Sequence, residues 1–324
     1  MDPSGTCSRT KASPSSSSSL SSATGIAVVA RTKRKVIRLV VISDTHGQHM
    51  SLQLPPGHIL LHCGDFADRG SQEDAAHFVQ WISSLPQYPE KFVIPGNHDR
   101  TVRNKNRRKQ KRHDEEDNEV KSSAANEDGA MNNKKMNLVE LFAQADPSVK
   151  LLLDETVTTN DGLVIHGSSW ESCEADSYGK VTANTNVWMY HRPPKLDFRI
   201  ASFHANMALP PKQSFWHGWN SSRTITHMVQ KLQIPLALSG HCHYARGALQ
   251  LLPKKPSSSN DRWSSSEPAA ATPFSSSPPP PTFINASSCW ESKFGNGVSP
   301  PVVIDFDLDT KQVLNVQIEP HPSE

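Results

Sequence analysis

Short apolar runs alternate with polar segments along most of the chain, and their lengths are those of β-strands. Uninterrupted apolar runs of this kind are typical of strands that are buried on both faces. We therefore predict strands over residues 36–43, 59–63, 92–94, 151–153, 163–165, 198–203, 236–238, 248–252, 282–285, 302–306 and 313–318.

Three other segments repeat their apolar residues with the 3.6-residue period of a helix. Each follows a residue type that caps helices: Ser71, Asn137 and the pair Ser221 and Ser222. The apolar positions are Ala75, Phe78, Val79, Ile82 and Leu85 in the first segment, Leu138, Leu141 and Phe142 in the second, and Ile225, Met228, Val229 and Leu232 in the third. Strand–helix alternation early in the chain and strands late in it predict an α/β fold in which two sheets face each other.

Three polar tracts contain too few apolar residues to contribute to a core. Residues 1–35 are Ser-rich and basic, residues 103–135 carry a basic cluster followed by an acidic one, and residues 253–281 consist largely of Ser, Pro and Ala. We interpret the first as a disordered tail, with an organellar transit peptide as the alternative. The second is interpreted as a solvated surface insertion, with a nuclear signal or an RNA contact as alternatives. Residues 36–320 then form one domain with two polar insertions.

Charge and cysteine content narrow the class of protein. The net charge of the 324-residue chain is +2, so no overall field marks it as a nucleic-acid binder, although a local basic groove is compatible with this total. The five cysteines are odd in number and form no Cys-x-x-Cys pair, which argues against a disulfide framework and favours a reducing compartment. No apolar run approaches the roughly 18 residues of a membrane span. We expect a cytoplasmic protein, or an imported one if the N-terminal tract is a transit peptide, and the oligomeric state is left open.

Residue types that bind metal ions follow four of the predicted strands. They occur in the runs Ser43–Gly47, Cys63–Asp65, Pro95–Asp99 and Ser239–His243. Asp44 and His46 are two residues apart, as are His241 and His243. Side chains with this spacing point the same way if the extended geometry of the strand continues.

Two further donors end two other predicted strands, namely Asp65 and Asn97. Open α/β sheets gather ligands at the carboxyl ends of their strands, so we expect all of these side chains to meet. The set contains carboxylate, imidazole and amide donors and no thiolate. It suits Mn, Fe, Zn, Co or Ni rather than Cu(I).

A donor set of this kind favours a two-metal centre for phosphate-ester hydrolysis. Two cations about 3.5–4 Å apart that share one carboxylate are used by phosphatases and nucleases, where a metal-bridging hydroxide attacks phosphorus in line. His98, beside Asn97, is in position to protonate the leaving oxygen, and Asp99 is in position to orient His98.

The motifs together resemble those of the calcineurin-like metallophosphoesterase superfamily. The matching residues are Asp44-Thr-His46, Gly64-Asp65, Gly96-Asn97-His98-Asp99 and Gly240-His241-Cys-His243. The segments Gly167–Trp170, Thr282–Ser287 and Pro300–Asp305 further resemble the metallophosphoesterase-domain-containing branch, brain-type members included. The resemblance covers roughly residues 36–320 apart from the insertions. It implies a four-layer α/β/β/α sandwich of two facing mixed sheets.

The resemblance also implies how the two metals are held. One would be bound by Asp44, His46, Asp65 and His243. The other would be bound by Asp65, Asn97, His241 and a histidine that precedes the last motif.

Two histidines can fill that remaining place. We favour His204, which follows a predicted strand, although the family usually continues this histidine with Gly-Pro and Ala205-Asn206 follows here. His166 also follows a strand, but its Gly-Ser-Ser-Trp continuation resembles a segment that binds no metal. His191 has no motif context, and we interpret it as a surface or core residue.

The chain also differs from the family pattern in the segment that contains a possible contact to the substrate phosphate. The run Gly64–Gly70, with His46-Gly47-Gln48, resembles protein Ser/Thr phosphatases, in which the corresponding arginine holds the substrate phosphate. Arg69 is therefore a candidate phosphate contact, since a guanidinium matches phosphate geometry. The alternative is an ordinary surface residue before the Ser71 cap.

The branch resemblance makes phosphodiesters, including cyclic nucleotides, the first expected substrate class. Two divalent ions are the expected cofactors, Mn²⁺ first and Fe, Zn, Co or Ni as alternatives. A phosphomonoesterase that acts on phosphoproteins through Arg69 is the second hypothesis, and a metal- or nucleotide-binding scaffold is the third. The presence of both His241 and His243 argues against the scaffold. The expected partner is a small phosphate ester or a nucleotide, with nucleic acid as an alternative and no membrane.

Overall fold

The structure is a computed structural model, and it describes residues 34–68, 70–99, 137–197, 199–203, 217–252, 280–292 and 295–318. Of the predicted tail only residues 34 and 35 fall in these ranges. The predicted insertion at 103–135 lies outside them, and so does that at 253–281 apart from residues 280 and 281.

Fifteen strands are found in the described ranges. They are β1 (Val36–Ile42), β2 (Ile59–His62), β3 (Glu90–Val93), β4 (Val149–Leu151), β5 (Glu155–Thr158), β6 (Val164–Gly167), β7 (Val187–Met189), β8 (Ala201–Phe203), β9 (Leu236–Ser239), β10 (Gly247–Leu251), β11 (Thr282–Asn285), β12 (Cys289–Ser292), β13 (Gly295–Val298), β14 (Val302–Asp307) and β15 (Gln312–Gln317). The α-helices described are α1 (Gln72–Ser83), α2 (Leu138–Phe142), α3 (Trp170–Ala175) and α4 (Arg223–Leu232).

The strands form two mixed sheets and a short hairpin. The first sheet has the order β15-β14-β1-β2-β3-β4, and the second has the order β5-β6-β7-β9-β11-β10-β8. Strands β1 to β4 are parallel to one another, and so are β6, β7, β9 and β11. Strands β12 and β13 pair separately. The parallel centre of each sheet therefore directs its loops to one edge, where the site is found.

The predicted helix starts are confirmed. The side chain of Ser71 accepts from the Asp74 amide, 3.1 Å away, and that of Ser222 accepts from the Ile225 amide at the same distance. Asn137 forms a capping box with Glu140. Each cap satisfies an amide that would otherwise lack a partner in the first helical turn, which stabilises the helix by about 1 kcal/mol.

Side chains of the first sheet alternate between two cores, as the two-residue period of a strand requires. Val41 packs between the sheets, in a cluster that includes Met189 of the second sheet. Its neighbours Val40 and Ile42 face the other way and share a cluster with Phe78 of α1. One face of this sheet therefore packs on the second sheet and the other on helices.

The second sheet shows the same alternation. Met189 contributes to the core between the sheets, whereas Trp188 packs with Val229 of α4 on the outer face. The architecture is the expected four-layer α/β/β/α sandwich. In the part of the chain that the structure describes, no helix has the length and apolar character needed to cross a bilayer.

Candidate metal centre

Three parallel strands of the first sheet end at the same edge and bring polar side chains together there. Asp44, Asp65 and Asn97 follow β1, β2 and β3. Asp44 and Asp65 have φ angles of 53° and 57°, in the left-handed region. This conformation costs about 1–2 kcal/mol per non-glycine residue, and such strained residues are concentrated at functional sites.

The second sheet contributes histidines from its own parallel strands. His191 lies two residues after β7, and His241 lies two residues after β9. His243 opens a short 3₁₀ turn, His243–Ala245. Because β7 and β9 are hydrogen-bonded parallel neighbours, their loops emerge side by side.

One group of donors consists of Asp44, His46 and His243. Oδ1 of Asp44 lies 3.3 Å from Nε2 of His243. The Nε2 atoms of His46 and His243 are also 3.3 Å apart. Since two unprotonated imidazole nitrogens repel each other, this close approach is expected where a proton or a cation lies between them.

A second group consists of Asp65, His191 and His241, with Asn97 beside them. Nε2 of His191 lies 3.2 Å from Oδ2 of Asp65 and 3.1 Å from Oδ1 of Asn97. The same Asn97 oxygen is 2.7 Å from Nδ1 of His241. Three ligand types therefore converge on one point.

The two groups adjoin. His46 and Asp65, one from each group, form a third cluster with His98. Nε2 of His191 lies 3.9 Å from Oδ1 of Asp44, which belongs to the first group. Asp65 thus occupies the position between the groups that a shared ligand would need.

Four of the donor distances fit divalent cations, and that between Asn97 and His241, 2.7 Å, is shorter. Two donors bound about 2.0–2.1 Å from one tetrahedral zinc ion are themselves about 3.3 Å apart. The distances from His243 to His46 and Asp44 have this value, and those from His191 to Asp65 and Asn97 are close to it. Nitrogen and oxygen donors of this kind suit transition-metal ions.

The electrostatics also favour cations at this place. Asp44 is fully buried and Asp65 nearly so. Burial alone would raise the pKa of each carboxyl, yet the neighbouring histidines lower both, so the site holds two buried negative charges. Burial alone would lower the pKa of His191, but the Asp65 and Asp44 carboxylates raise it to about 9. The carboxylates therefore require positive charge beside them, which a proton or a metal ion supplies.

Hydrogen bonds from neighbouring residues orient the donors His191 and Asp44. Nδ1 of His191 donates to the Cys63 carbonyl, 2.7 Å away, which leaves the lone pair of Nε2 directed into the site when the ring is neutral. Oδ2 of Asp44 accepts from the Ser287 hydroxyl at 2.9 Å, and both Asp44 oxygens lie within 3.0 Å of the His241 amide. Ser287 comes from the β11–β12 connection, so both sheets hold Asp44.

His98 lies at the mouth of the site. Its ring centroid is 4.7 Å from that of His46, and its backbone amide donates to Oδ1 of Asp65 at 2.7 Å. Nδ1 of His98 lies 3.7 Å from Oδ1 of Asp68. His98 is therefore close to the donors and retains partial exposure to solvent.

Asp99 has a different surrounding from the one we predicted. Its buried carboxylate accepts from the backbone amides of Asp65, Ala67 and Gly96, at 2.8, 3.0 and 2.8 Å. Burial, and then the neighbouring Asp65 charge, raises the pKa of Asp99 to about 7 despite these bonds. Asp99 thus ties together the loops after β2 and β3, whereas Asp68 is the carboxylate beside the His98 ring.

The site brings together Asp44, His46, Asp65, Asn97, His241 and His243 of the predicted ligands. His204 and Arg69 lie outside the described residues, so their predicted roles stay predictions. His166 is buried and bonds to Thr156 rather than joining the donor groups.

Sequence reasoning missed His191. Its signal was of the same kind as that of the other ligands, because it follows the apolar run Val-Trp-Met-Tyr of residues 187–190. That run forms strand β7.

The sequence model of the calcineurin-like phosphoesterase family matches residues 37–245. The chain therefore belongs to this family. The match contains every donor described above.

The chain is similar to individual proteins over parts of its length. The chain is 44% identical over 64 residues to metallophosphoesterase domain-containing protein 1 of Homo sapiens, which is 20% of this chain and 19% of that protein. It is 26% identical over 228 residues to the UPF0046 protein K07C11.7 of Caenorhabditis elegans, 66% of each chain. The matches thus span about a fifth of the human relative and just under two thirds of the worm relative. Among solved structures, TT1561 of Thermus thermophilus aligns with 87% of this chain and 99% of its own, at 10% identity and a TM-score of 0.42.

Proposed function

We propose that the chain is a dinuclear metal-dependent phosphodiesterase. The observation that carries the proposal is the pair of adjoining donor groups, with Asp65 between them. In this proposal Asp44, His46 and His243 would hold one ion, Asn97, His191 and His241 would hold the other, and Asp65 would bind both. Mn²⁺ is the proposed metal because carboxylate and amide oxygens suit it, and Fe, Zn, Co and Ni are the alternatives because the site also contains imidazoles.

His191 is proposed as the remaining metal ligand, for which the sequence had suggested His204 or His166. Its support is the distance of 3.2 Å to Asp65, the distance of 3.1 Å to Asn97 and complete burial. The bond to the Cys63 carbonyl gives it the outer contact that metal-binding histidines usually have.

The cations, when bound, neutralise phosphate charge and supply a hydroxide at neutral pH. Residues of the chain supply proton transfer and hold the loops of the site in position. His98, whose Nδ1 lies 3.7 Å from Oδ1 of Asp68, donates a proton to the leaving oxygen. Asp99 keeps the Gly96–His98 loop and the Asp65 loop together through its amide contacts.

Phosphodiesters are the proposed substrates, with nucleotides among them, on the strength of the resemblance to the metallophosphoesterase-domain-containing branch. The test compares hydrolysis of bis-p-nitrophenyl phosphate with that of p-nitrophenyl phosphate by chelator-treated protein resupplied with Mn²⁺. Faster diester hydrolysis is expected, abolished in Asp65→Asn and retained in Asp305→Asn, a matched change in a surface ion pair with Arg38.

Two outcomes would contradict the proposal. Preference for the monoester would indicate a phosphomonoesterase. Metal binding without hydrolysis of either compound would indicate a binding scaffold.

A further inference from the structure

A cleft of about 480 Å³ opens beside the metal centre. It is lined by Asn97, Trp170, Glu174, Arg192, Ser221 and His241. Two of these, Asn97 and His241, belong to the proposed metal ligands. The cleft is therefore continuous with the place where a phosphate group would bind.

Arg192 is the cation among the residues described as lining this cleft. It directly follows the proposed ligand His191, and its backbone is consequently held close to the centre. Its Nε donates to the Ser221 hydroxyl at 2.6 Å, and its Nη1 contacts the Cys173 carbonyl at 3.4 Å. These contacts use part of the guanidinium, which carries five donor hydrogens, and leave the remainder for an anion.

The cleft wall supports binding of a group attached to the phosphate. The Trp170 ring lies 5.7 Å from that of His241 and 5.5 Å from that of His191, so it packs against both proposed ligands. Glu174 supplies the opposite charge on an exposed part of the wall. The half-buried position of Arg192 makes its charge less screened than a surface charge.

We propose that Arg192 is a substrate-binding residue of this site and contacts a non-bridging oxygen of the phosphate ester bound at the metals. The cleft beside it then receives the ester substituent. A planar guanidinium keeps its N–H donors at fixed angles that suit phosphate oxygens, whereas a lysine offers a point charge. This inference rests on the proposed function. It gives this chain a phosphate contact among the residues that the structure describes, whereas the predicted contact Arg69 lies outside them.

A structural role for Arg192 would have different consequences. The contacts with Ser221 and Cys173 also connect the end of α3 to the segment before α4. A residue that served only this connection would affect thermal stability and leave phosphate affinity unchanged. Measuring both separates the two roles.

The experiment titrates inorganic phosphate into Mn²⁺-loaded wild-type protein and variants by calorimetry, after metal content has been counted. Arg192→Gln is expected to weaken phosphate binding at least about tenfold, as is typical for loss of a hydrogen bond to a charged group. Arg192→Lys is expected to recover part of this loss. Metal content should stay at the wild-type value in both.

Arg199→Gln is the matched control. It makes the same change in net charge at a side chain that is 74% exposed and paired with Asp197. We expect its phosphate affinity to stay within about twofold of wild type. Equal weakening in Arg199→Gln and Arg192→Gln would show a general charge effect and overturn the proposal.

Wild-type phosphate affinity in Arg192→Gln would also overturn the assignment of Arg192 while leaving the metal centre intact. A wild-type chain that binds no metal, which the metal count reveals before phosphate is added, would overturn both this inference and the proposed function. The same variants, assayed with bis-p-nitrophenyl phosphate, should show a raised KM in parallel with the weaker phosphate binding.

Discussion

Replacement of Gly96 by alanine should disrupt the metal centre through a single methyl group. A Cβ built on Gly96 would lie 2.1 Å from Oδ1 of Asp65, 2.6 Å from the Asp65 nitrogen and 2.7 Å from its Cγ. Ordinary contacts of such an atom begin near 3.4 Å. Asp65 or the Gly96 loop must therefore move by about 1 Å, and the clash with a backbone atom cannot be relieved by a side-chain rotation.

The size of the effect follows from the position of Asp65 between the two donor groups. A displacement of about 1 Å at a catalytic group costs about a hundredfold in rate. Because Asp65 is proposed to bind both ions, we expect the affinity for both to fall by about 10–100-fold, the range found when metal-site support is lost. Overpacking of this kind also lowers the free energy of unfolding by about 1–3 kcal/mol.

The assay counts bound Mn²⁺ and measures its affinity by calorimetry, with thermal unfolding measured in parallel without metal. Gly179→Ala is the matched control, since a Cβ there meets nothing within 4 Å. Retention of wild-type metal affinity and activity in Gly96→Ala would refute the reasoning. Loss of one metal with the other unaffected would contradict the shared role of Asp65.

Three further changes test separate parts of the account. Ser287→Ala removes the hydroxyl that donates to Asp44 at 2.9 Å, and calorimetry should show a roughly 10–100-fold loss of metal affinity; an unchanged affinity would contradict the orienting role. His98→Ala should lower kcat by about 10²–10⁴-fold while metal affinity stays near wild type, and equal loss of both would exclude the proton-donor role. Burial lowers the pKa of His166 from 6.5 to about 4, so the unfolded chain binds more protons at this residue between these values. The contribution of His166 to stability should be full above pH 6.5 and fall by about 3 kcal/mol on reaching pH 4. Denaturant unfolding of His166→Gln should lack this part of the pH dependence, and an identical pH dependence would contradict it.

Most of the fold was predictable because most of its strands and three of its helices carry strong local signals. The twelve-residue helix α1 has a regular apolar period and a capping serine, Ser71, and the structure has both. Helix α3 has two buried apolar positions, Trp170 and Cys173, which are too few to establish a period, and it was missed. Strand β5 is mostly exposed and has no apolar run, so only its pairing with β6 defines it.

Some residues of the candidate site were also predictable from the local sequence, and others were not. Asp44 and His46 were predictable because their spacing and the preceding strand identify them locally. His191 also follows an apolar run but lies outside every motif, so it was not selected, and what identifies it is its distance to Asp65 and Asn97 across the two sheets. Sequence adjacency likewise suggested that Asp99 orients His98, but adjacency does not give the direction of a side chain.

The central claim is that His191 completes a centre for two metal ions, and counting the ions tests it most directly. Chelator-treated wild-type protein and His191→Ala would be titrated with Mn²⁺ and the bound metal per chain determined. His166→Ala serves as the matched change at a buried histidine outside the donor groups. The account predicts two ions per chain in wild type and His166→Ala, and one in His191→Ala. Two ions bound with wild-type affinity in His191→Ala would contradict it.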